Sequence, residues 1–256
     1  MRDSMIMVRR NLKHLLRYPS MTVMLVAMPV IFLLLFVYVF GGTLGAGIGG
    51  GSGGRATYID YVTPGVLLMA IAGAVQGTAV SVAMDMTQGI MARFRTMAIS
   101  RGAVLTGHVV SSCCQAMLCV GVTLGLAVAI GFRPSANLLQ WLGALGMLLL
   151  LAFALTWLTV ALGMVTKSVE GASNLPMPLI LLPFLGSGFV PTDSMPAGLR
   201  WFAQYQPFTP VMETARALLR GTPVGSNLVL ALGWCAVLSL GGYLWARRLF
   251  ERNLIR

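Results

Sequence analysis

Residues Met21 to Phe40 read MTVMLVAMPVIFLLLFVYVF, a run of 20 residues without a charged side chain. As an α-helix, this run would be about 30 Å long, which matches the hydrocarbon thickness of a bilayer. The whole chain of 256 residues is 57% hydrophobic, which is more than a water-soluble domain usually carries. The sequence therefore predicts a membrane protein whose first spanning helix covers residues 21–40.

Five further apolar runs have the length of a membrane span. They cover residues 58–84, 103–131, 138–165, 173–190 and 228–249. We therefore predict an all-α, polytopic fold with six transmembrane helices, which form one domain over residues 1–256.

The distribution of positive charge predicts the orientation of these helices. Six spans place both termini on one side; if that side is the cytoplasm, 13 Lys and Arg residues lie inside and 5 lie outside. The net charge of +11 is concentrated at the ends of apolar runs, a pattern typical of contact with anionic lipid headgroups and not with nucleic acid. We expect a multi-pass protein of the cell membrane with both termini in the cytoplasm.

Two segments have the pattern of amphipathic helices. Residues 1–20 place apolar side chains on one face and basic ones, including Arg9, Arg10 and Lys13, around the other, which predicts a surface helix that ends before the first span. Residues 85–101, DMTQGIMARFRTMAISR, predict a short cytoplasmic helix with an apolar stripe. Two alternatives remain for this second helix: it lies on the bilayer with its arginines at anionic lipid, or it docks into a soluble partner.

The fifth apolar run differs from the others because it contains several prolines. Pro176, Pro178 and Pro183 each remove a backbone hydrogen bond, so we predict a broken helix at membrane depth. The chain from 191 to 221 is too polar to span the membrane and contains two short helical patterns. We predict two short helices there, at the outer interface.

A glycine-rich stretch follows the first span. Gly45, Gly47 and Gly50 have the GxGxxG spacing of dinucleotide-binding loops. That motif requires a preceding strand and a following helix, and here a membrane span precedes it. We predict a flexible extracytoplasmic linker over residues 41–54.

Motifs for catalysis or cofactor binding are weak in this sequence. The two lysines, Lys13 and Lys167, do not follow a glycine, so the chain has no phosphate-binding loop of the Walker A type; if ATP drives this protein, another chain binds it. His108 is alone in the third run, which argues against a metal site. We expect the four cysteines to be small packing residues.

Polar side chains within the spans are few, and hydrogen bonding between helices explains them better than substrate contact does. They are Gln76, Thr78, Ser111, Ser112, Gln115, Thr156 and Thr159. Three other classes of protein stay open as alternatives. An ion-coupled secondary transporter would need a buried ionisable pair, which the middle of the spans lacks. An intramembrane hydrolase would have only Ser187 and His108 as a nominal catalytic pair. A membrane scaffold would need no partner ATPase.

Four stretches resemble the permease subunits of type-2 ATP-binding-cassette (ABC) exporters, most closely those of the daunorubicin-resistance type. They are YVTPGVLLMA (Tyr61 to Ala70), GIMARFRTMAISRGAVLTGHVV (Gly89 to Val110), GFRP (Gly131 to Pro134) and FLGSGFVPTDSMPAGLRWFAQYQPFTPVMETARALLRG (Phe184 to Gly221). With the basic surface helix, the resemblance covers nearly the whole chain. One departure is that this chain has Ile99 where relatives commonly have a proline before the Ser-Arg pair.

The resemblance implies an exporter of an amphiphilic drug, lipid or glycolipid, in which two permease subunits, identical or related, each contact a separate ATPase subunit. That subunit would bind ATP and Mg²⁺, so this chain would carry no cofactor and would not be an enzyme by itself. The resemblance also implies that residues 86–98 are the coupling helix and that the surface helix is a second contact. The implied coupling residues are Met86, Ile90, Met91, Arg93, Phe94, Arg95 and Met97, with Arg9, Arg10 and Lys13 on the surface helix.

The resemblance further implies that the broken fifth span and the two outer helices form the exit gate and part of the contact between the two permease subunits. This implication agrees with the argument from the prolines. The candidate residues for the pathway or gate are Gln76, Pro176, Pro178, Pro183, Phe184 and Phe189.

Overall fold

The structure is a computed structural model that describes residues 19–48, 54–87, 101–166 and 168–253. Within these ranges every regular element is helical, which confirms the predicted all-α class. The first group of elements comprises α1 (Pro19–Leu34), a π-helical stretch (Leu35–Phe40), α2 (Gly41–Ile48), α3 (Arg55–Thr87), α4 (Arg101–Ala129) and α5 (Leu138–Val165).

The second group contains mostly short elements and ends with a long helix. It comprises α6 (Val169–Asn174), α7 (Met177–Leu181), a 3₁₀ turn (Leu182–Leu185), a second 3₁₀ turn (Thr192–Ser194), α8 (Ala197–Tyr205), α9 (Phe208–Leu219) and α10 (Asn227–Asn253). Two short helices, α8 and α9, therefore lie between the proline-rich run and the last long helix.

Five helices in the described part of the chain are long and apolar enough to cross a membrane. They are Val23–Ile48, Arg55–Thr87, Leu105–Ala129, Leu138–Val165 and Asn227–Arg252. The predicted fifth span, residues 173–190, does not form a continuous helix, so five of the six predicted spans are continuous helices in the described ranges. The helix is interrupted at Pro176 and Pro178, because each proline lacks a backbone donor and its ring cannot fit against the preceding helical turn.

The glycine-rich stretch is more ordered than a flexible linker. Residues 41–48 continue the first helix without a break, so the predicted linker is wrong for this part of it. Glycine is compatible with a helix that lies in lipid, where no water competes for the backbone hydrogen bonds. At Gly45 an added Cβ would lie 2.3 Å from the carbonyl oxygen of Gly54, so the backbone of α2 approaches the start of α3 closely.

Helix α3 forms the centre of the fold. In its most apolar stretch 72% of the residues are buried, against 17% in the first and in the last spanning helix. A helix that is apolar on all sides lies inside a bundle, because each of its faces must pack against another element. Helices α1, α4, α5, the short helix α6 and α9 all pack against α3.

Hydroxyl groups link the central helices to one another. The Thr78 Oγ1 of α3 donates to the Ser112 Oγ of α4 at 2.7 Å, and that oxygen lies 3.2 Å from the Thr156 Oγ1 of α5. This confirms helix-to-helix hydrogen bonding as the role of these three residues. At Gly163 of α5 an added Cβ would lie 2.5 Å from the Ala79 carbonyl oxygen, so α3 and α5 are in backbone contact.

Three of the four cysteines lie inside the helix bundle. Cys113, Cys119 and Cys235 are buried, as expected for packing residues, whereas Cys114 is exposed. Gly121 and Gly125 have no heavy atom within 4 Å of an added Cβ, so this GxxxG spacing supports no close helix contact among the residues that the structure describes.

Candidate functional site

The proline-rich part of the chain, residues 169–190, lies along α3 and is called the broken segment below. Its first helix contacts α3 at Gln76, and its last residues contact α3 at Gly65, where an added Cβ would lie 2.7 Å from the Gly188 carbonyl oxygen. These two positions are separated by about 16 Å along the axis of α3. The broken segment therefore runs antiparallel to α3 for about half the thickness of a bilayer.

Gln76 holds the start of the broken segment. Its Nε2 donates to the Ser173 carbonyl oxygen at 2.6 Å. Helix α6 ends at Asn174, so the carbonyl groups of its last turn lack intrahelical donors. Gln76 was predicted as a pathway or gate residue, and the structure places it against the backbone of the broken segment.

The three predicted prolines define the breaks. Pro176 precedes α7, Pro178 lies in its first turn, and Pro183 lies in the first turn of the following 3₁₀ turn. Proline is tolerated at these positions because the amide hydrogens of a first turn have no intrahelical acceptor. Pro176 and Pro183 are buried, whereas Pro178 is exposed.

Phe184 and Phe189 contact each other and the first spanning helix. Their rings stack with centroids 4.5 Å apart and an interplanar angle of 9°. Phe36 lies 4.5 Å from Phe189, and Phe32 lies 5.7 Å from Phe184. These four rings, the aromatic cluster, join the broken segment to the first helix. The sequence analysis did not identify Phe32 and Phe36, which lie four residues apart on one helical face.

Arg216 of α9 is the strongest polar link in this region. Its Nη2 donates to the Ser187 carbonyl oxygen at 2.8 Å and to the Tyr61 carbonyl oxygen at 3.1 Å. Its Nη1 donates to the Glu213 carboxylate, and the guanidinium lies 4.0 Å from the centroid of the Tyr61 ring. Arg216 is only 5% exposed, so one buried cation joins α9, α3 and the broken segment.

The turn at Gly186 to Gly188 is also attached to the loop that joins α8 to α9. Gln206 Nε2 donates to the Leu182 carbonyl oxygen at 2.9 Å, and the Ser187 amide donates to Thr209 Oγ1 at 3.3 Å. An added Cβ at Gly186 would lie 2.4 Å from Gln206 Nε2, so only glycine fits there without a shift of this side chain. Arg216 and Thr209 of α9 therefore both bond to the backbone of Ser187, and Gln206 bonds to the backbone just before this turn.

The nominal serine–histidine pair of a hydrolase is not formed. Arg216 bonds to both Ser187 and Tyr61, so Ser187 lies near Tyr61 of α3. His108 contacts Asp85, which lies about 36 Å from Tyr61 along the axis of α3. A nucleophile and its base must lie within hydrogen-bonding reach of each other. Among the residues that the structure describes, no group of three His, Cys, Asp or Glu side chains converges as a metal site would require.

His108 is not alone, in contrast to the prediction from the sequence. Its Nε2 lies 3.0 Å from Asp85 Oδ2, and the two residues are 4% and 8% exposed. Asp85 was predicted to begin a cytoplasmic amphipathic helix, but α3 extends to Thr87 and buries it. The buried ionisable pair that the sequence analysis did not find is therefore present, at the C-terminal end of α3.

The predicted coupling contacts are described only in part. Met86 is half-buried and packs against an apolar cluster formed by α3, α4, α5 and α10. The other predicted contacts lie outside the described residues, and their roles stay predictions. They are Ile90, Met91, Arg93, Phe94, Arg95 and Met97, with Arg9, Arg10 and Lys13 of the predicted surface helix.

A buried bundle around α3 and a proline-broken segment held by aromatic and arginine contacts define a polytopic helical membrane protein. The family model that matches this chain is ABC-2 type transporter, over residues 3–219. The chain therefore belongs to the ABC-2 type transporter family and is a type-2 ABC permease.

Two relatives show where this chain lies within the family. It is 29% identical over 243 residues to the daunorubicin resistance ABC transporter permease protein DrrB1 of Streptomyces coeruleorubidus. The matched region covers 90% of this chain and 83% of the relative. It is 23% identical over 172 residues to the probable doxorubicin resistance ABC transporter permease protein DrrC of Mycobacterium tuberculosis. Here the matched region covers 66% of this chain and 62% of the relative.

Proposed function

We propose that this chain is the permease subunit of an ATP-driven exporter that moves an amphiphilic drug, lipid or glycolipid from the cytoplasm or the inner leaflet outward. The family and the drug-resistance names of the two relatives support this proposal. In this proposal ATP and Mg²⁺ bind to a separate ABC ATPase subunit, and a second permease subunit, identical or related, completes the pathway. Both termini lie in the cytoplasm, and the chain is embedded in the lipid of the cell membrane.

The single observation that carries the proposal is the attachment of the broken segment to α3. A gate must have two discrete arrangements that depend on contacts present in only one of them. The aromatic cluster and the Arg216 hydrogen bonds join three separate elements at one turn, and we propose that they break when the gate opens. We assign this region as the exit gate in its closed arrangement.

The apolar character of the gate suits an amphiphilic substrate. Phe32, Phe36, Phe184 and Phe189 present aromatic faces to one another, and an amphiphile can replace these contacts with its own apolar surface. The buried Arg216 bonds to Ser187, between Phe184 and Phe189 in the chain, and we propose that it and the half-buried Glu213 contact a polar headgroup. A hydrophilic solute would lose its hydration at this point without equivalent contacts.

An ion-coupled secondary transporter is a second candidate function, because the Asp85–His108 pair is the buried ionisable pair that such a protein requires. Proton binding to one partner would then drive the conformational change. We prefer the ATP-driven exporter because the matched family is an ABC family.

The transport experiment tests both functions in one preparation. The chain is co-expressed with an ABC ATPase subunit, and uptake of doxorubicin into inside-out vesicles is followed by fluorescence quenching. We expect uptake that requires ATP and Mg²⁺ and continues when a protonophore dissipates the proton gradient. Uptake without ATP that stops with the protonophore would instead establish the secondary transporter.

Phe94 provides a test of the predicted coupling contact. Replacing it with aspartate puts a charge on the apolar stripe that we expect to dock into the ATPase. We expect Phe94→Asp to abolish doxorubicin-stimulated ATP hydrolysis while membrane insertion, measured by the yield of folded protein, stays unchanged. Gln88→Asp is the control because Gln88 lies on the opposite face of the predicted helix. Equal stimulation in Phe94→Asp and the wild type would contradict a coupling role.

A further inference from the structure

The Asp85–His108 pair lies where two long helices approach the predicted coupling segment. Asp85 is two residues before the last residue of α3, and His108 is two turns into α4. The Nε2–Oδ2 distance of 3.0 Å joins the two helices directly. The chain between them, residues 88–100, holds most of the predicted coupling contacts.

An apolar cluster lies near the pair. Val82, Leu105, Val109, Trp157 and Met164 form the nearby buried cluster, to which α3, α4 and α5 contribute. An electrostatic hydrogen bond is stronger in such surroundings than in water, and water does not readily replace it. The backbone at His108 is held as well, since Ser111 Oγ donates to its carbonyl oxygen at 3.1 Å.

Stability alone does not account for a buried ionisable pair at this position. A buried ion pair costs desolvation, and an apolar pair of similar volume often gives equal or greater stability. The helices are already joined by the Thr78–Ser112 hydrogen bond, about 10 Å farther along α3. What the pair adds is a fixed geometry. It fixes the rotation of α4 about its own axis and its position along that axis relative to the last turn of α3.

From this geometry we propose that Asp85 and His108 are positioning residues, which keep the ends of α3 and α4 together so that both helices move as one unit when the ATPase displaces the segment between them. The proposal rests on the proposed exporter function. Without the pair, displacement of one helix end would be absorbed by sliding against the other, and ATP hydrolysis would continue without driving the permease.

The test compares an apolar replacement with a matched control in the complex of permease and ATPase. Asp85→Leu with His108→Leu replaces the pair by side chains that suit the surrounding cluster, and Thr78→Val with Ser112→Ala removes the neighbouring α3–α4 hydrogen bond. In the first variant we expect an unchanged KM for ATP and a melting temperature close to that of the wild type. The doxorubicin-stimulated part of kcat is expected to fall by about tenfold. The control keeps the stimulated rate.

Each result decides the proposal. Full stimulation in the double-leucine variant, or an equal loss in the control, would overturn it. If the double-leucine variant fails to fold, Asp85→Asn removes the charge at nearly constant volume, and we expect a loss of stimulation by about threefold; an unchanged rate in that variant would also overturn the proposal. A wild-type complex without any stimulation would instead contradict the exporter function itself.

Discussion

Replacing Arg216 with methionine is expected to loosen the broken segment and to destabilise the whole protein. The change removes the donors to the Tyr61 and Ser187 carbonyl oxygens and leaves the half-buried Glu213 carboxylate without its partner. Breaking a buried ion pair by removing one side costs about 3 kcal/mol. For a chain of this size that corresponds to a decrease of about 10 °C in melting temperature. Thermal unfolding of the purified protein in detergent measures it.

Two further variants make this experiment specific. Arg216→Lys keeps the charge but not the planar fork that reaches two carbonyl groups, so we expect it to recover less than half of the lost stability. Arg200→Met serves as the control, because Arg200 also donates to two carbonyl oxygens, but both belong to its own stretch of chain, at Asp193 and Met195. A decrease of the same size in Arg200→Met would show that Arg216 has no special role.

The second large effect is expected at Gly65. An alanine Cβ there would lie 2.7 Å from the Gly188 carbonyl oxygen and 2.8 Å from its Cα, so α3 and the turn must separate. Overpacking of this kind costs about 1–3 kcal/mol. We expect Gly65→Ala to lower the melting temperature and to raise the passive leak of doxorubicin from proteoliposomes without ATP. The reason is that the turn of Gly186 to Gly188 can no longer pack closely against α3.

Gly73 of the same helix provides the control for backbone propensity. An added Cβ there meets no heavy atom within 4 Å, so Gly73→Ala gains helix propensity of about 1 kcal/mol without a clash. We expect its melting temperature to stay equal or to rise, with no increase in leak. If Gly65→Ala behaves like Gly73→Ala, the contact between α3 and the broken segment is not tight enough to act as a gate.

The long helices were largely predictable because each one leaves a strong local signal. The predicted bounds of α5, residues 138–165, are those of the structure, where Asn137 and Gln140 form a reciprocal capping box at its start. Prolines likewise predicted the broken segment. Lipid sets the minimum length of a span, so uninterrupted apolar runs are sufficient to find these helices.

The polar contacts were harder to predict because they join residues that are distant along the chain. Asp85 and His108 are 23 residues apart and lie on either side of a basic stretch, so each appeared to belong to a different environment. Arg216 is one of the five basic residues that the charge distribution assigns to the outer side, and its side chain was not predicted to be buried. A signal for it existed: it is four residues after Met212 and three before Leu219, both of which lie on the buried face of α9.

Helix α3 joins these two regions, and its stiffness along its length determines how they can influence each other. Tyr61 and Asp85 lie about 36 Å apart on one uninterrupted stretch of helix. The only interior proline of α3 is Pro64, and the hydrogen-bond ladder lacks a donor there. We expect the longer part of the helix, from Gly65 to Thr87, to move as a rigid rod and any bending to occur at Pro64. A tilt of the Asp85 end is then expected to change the helix angle next to Gly65, where the backbone of Gly188 packs.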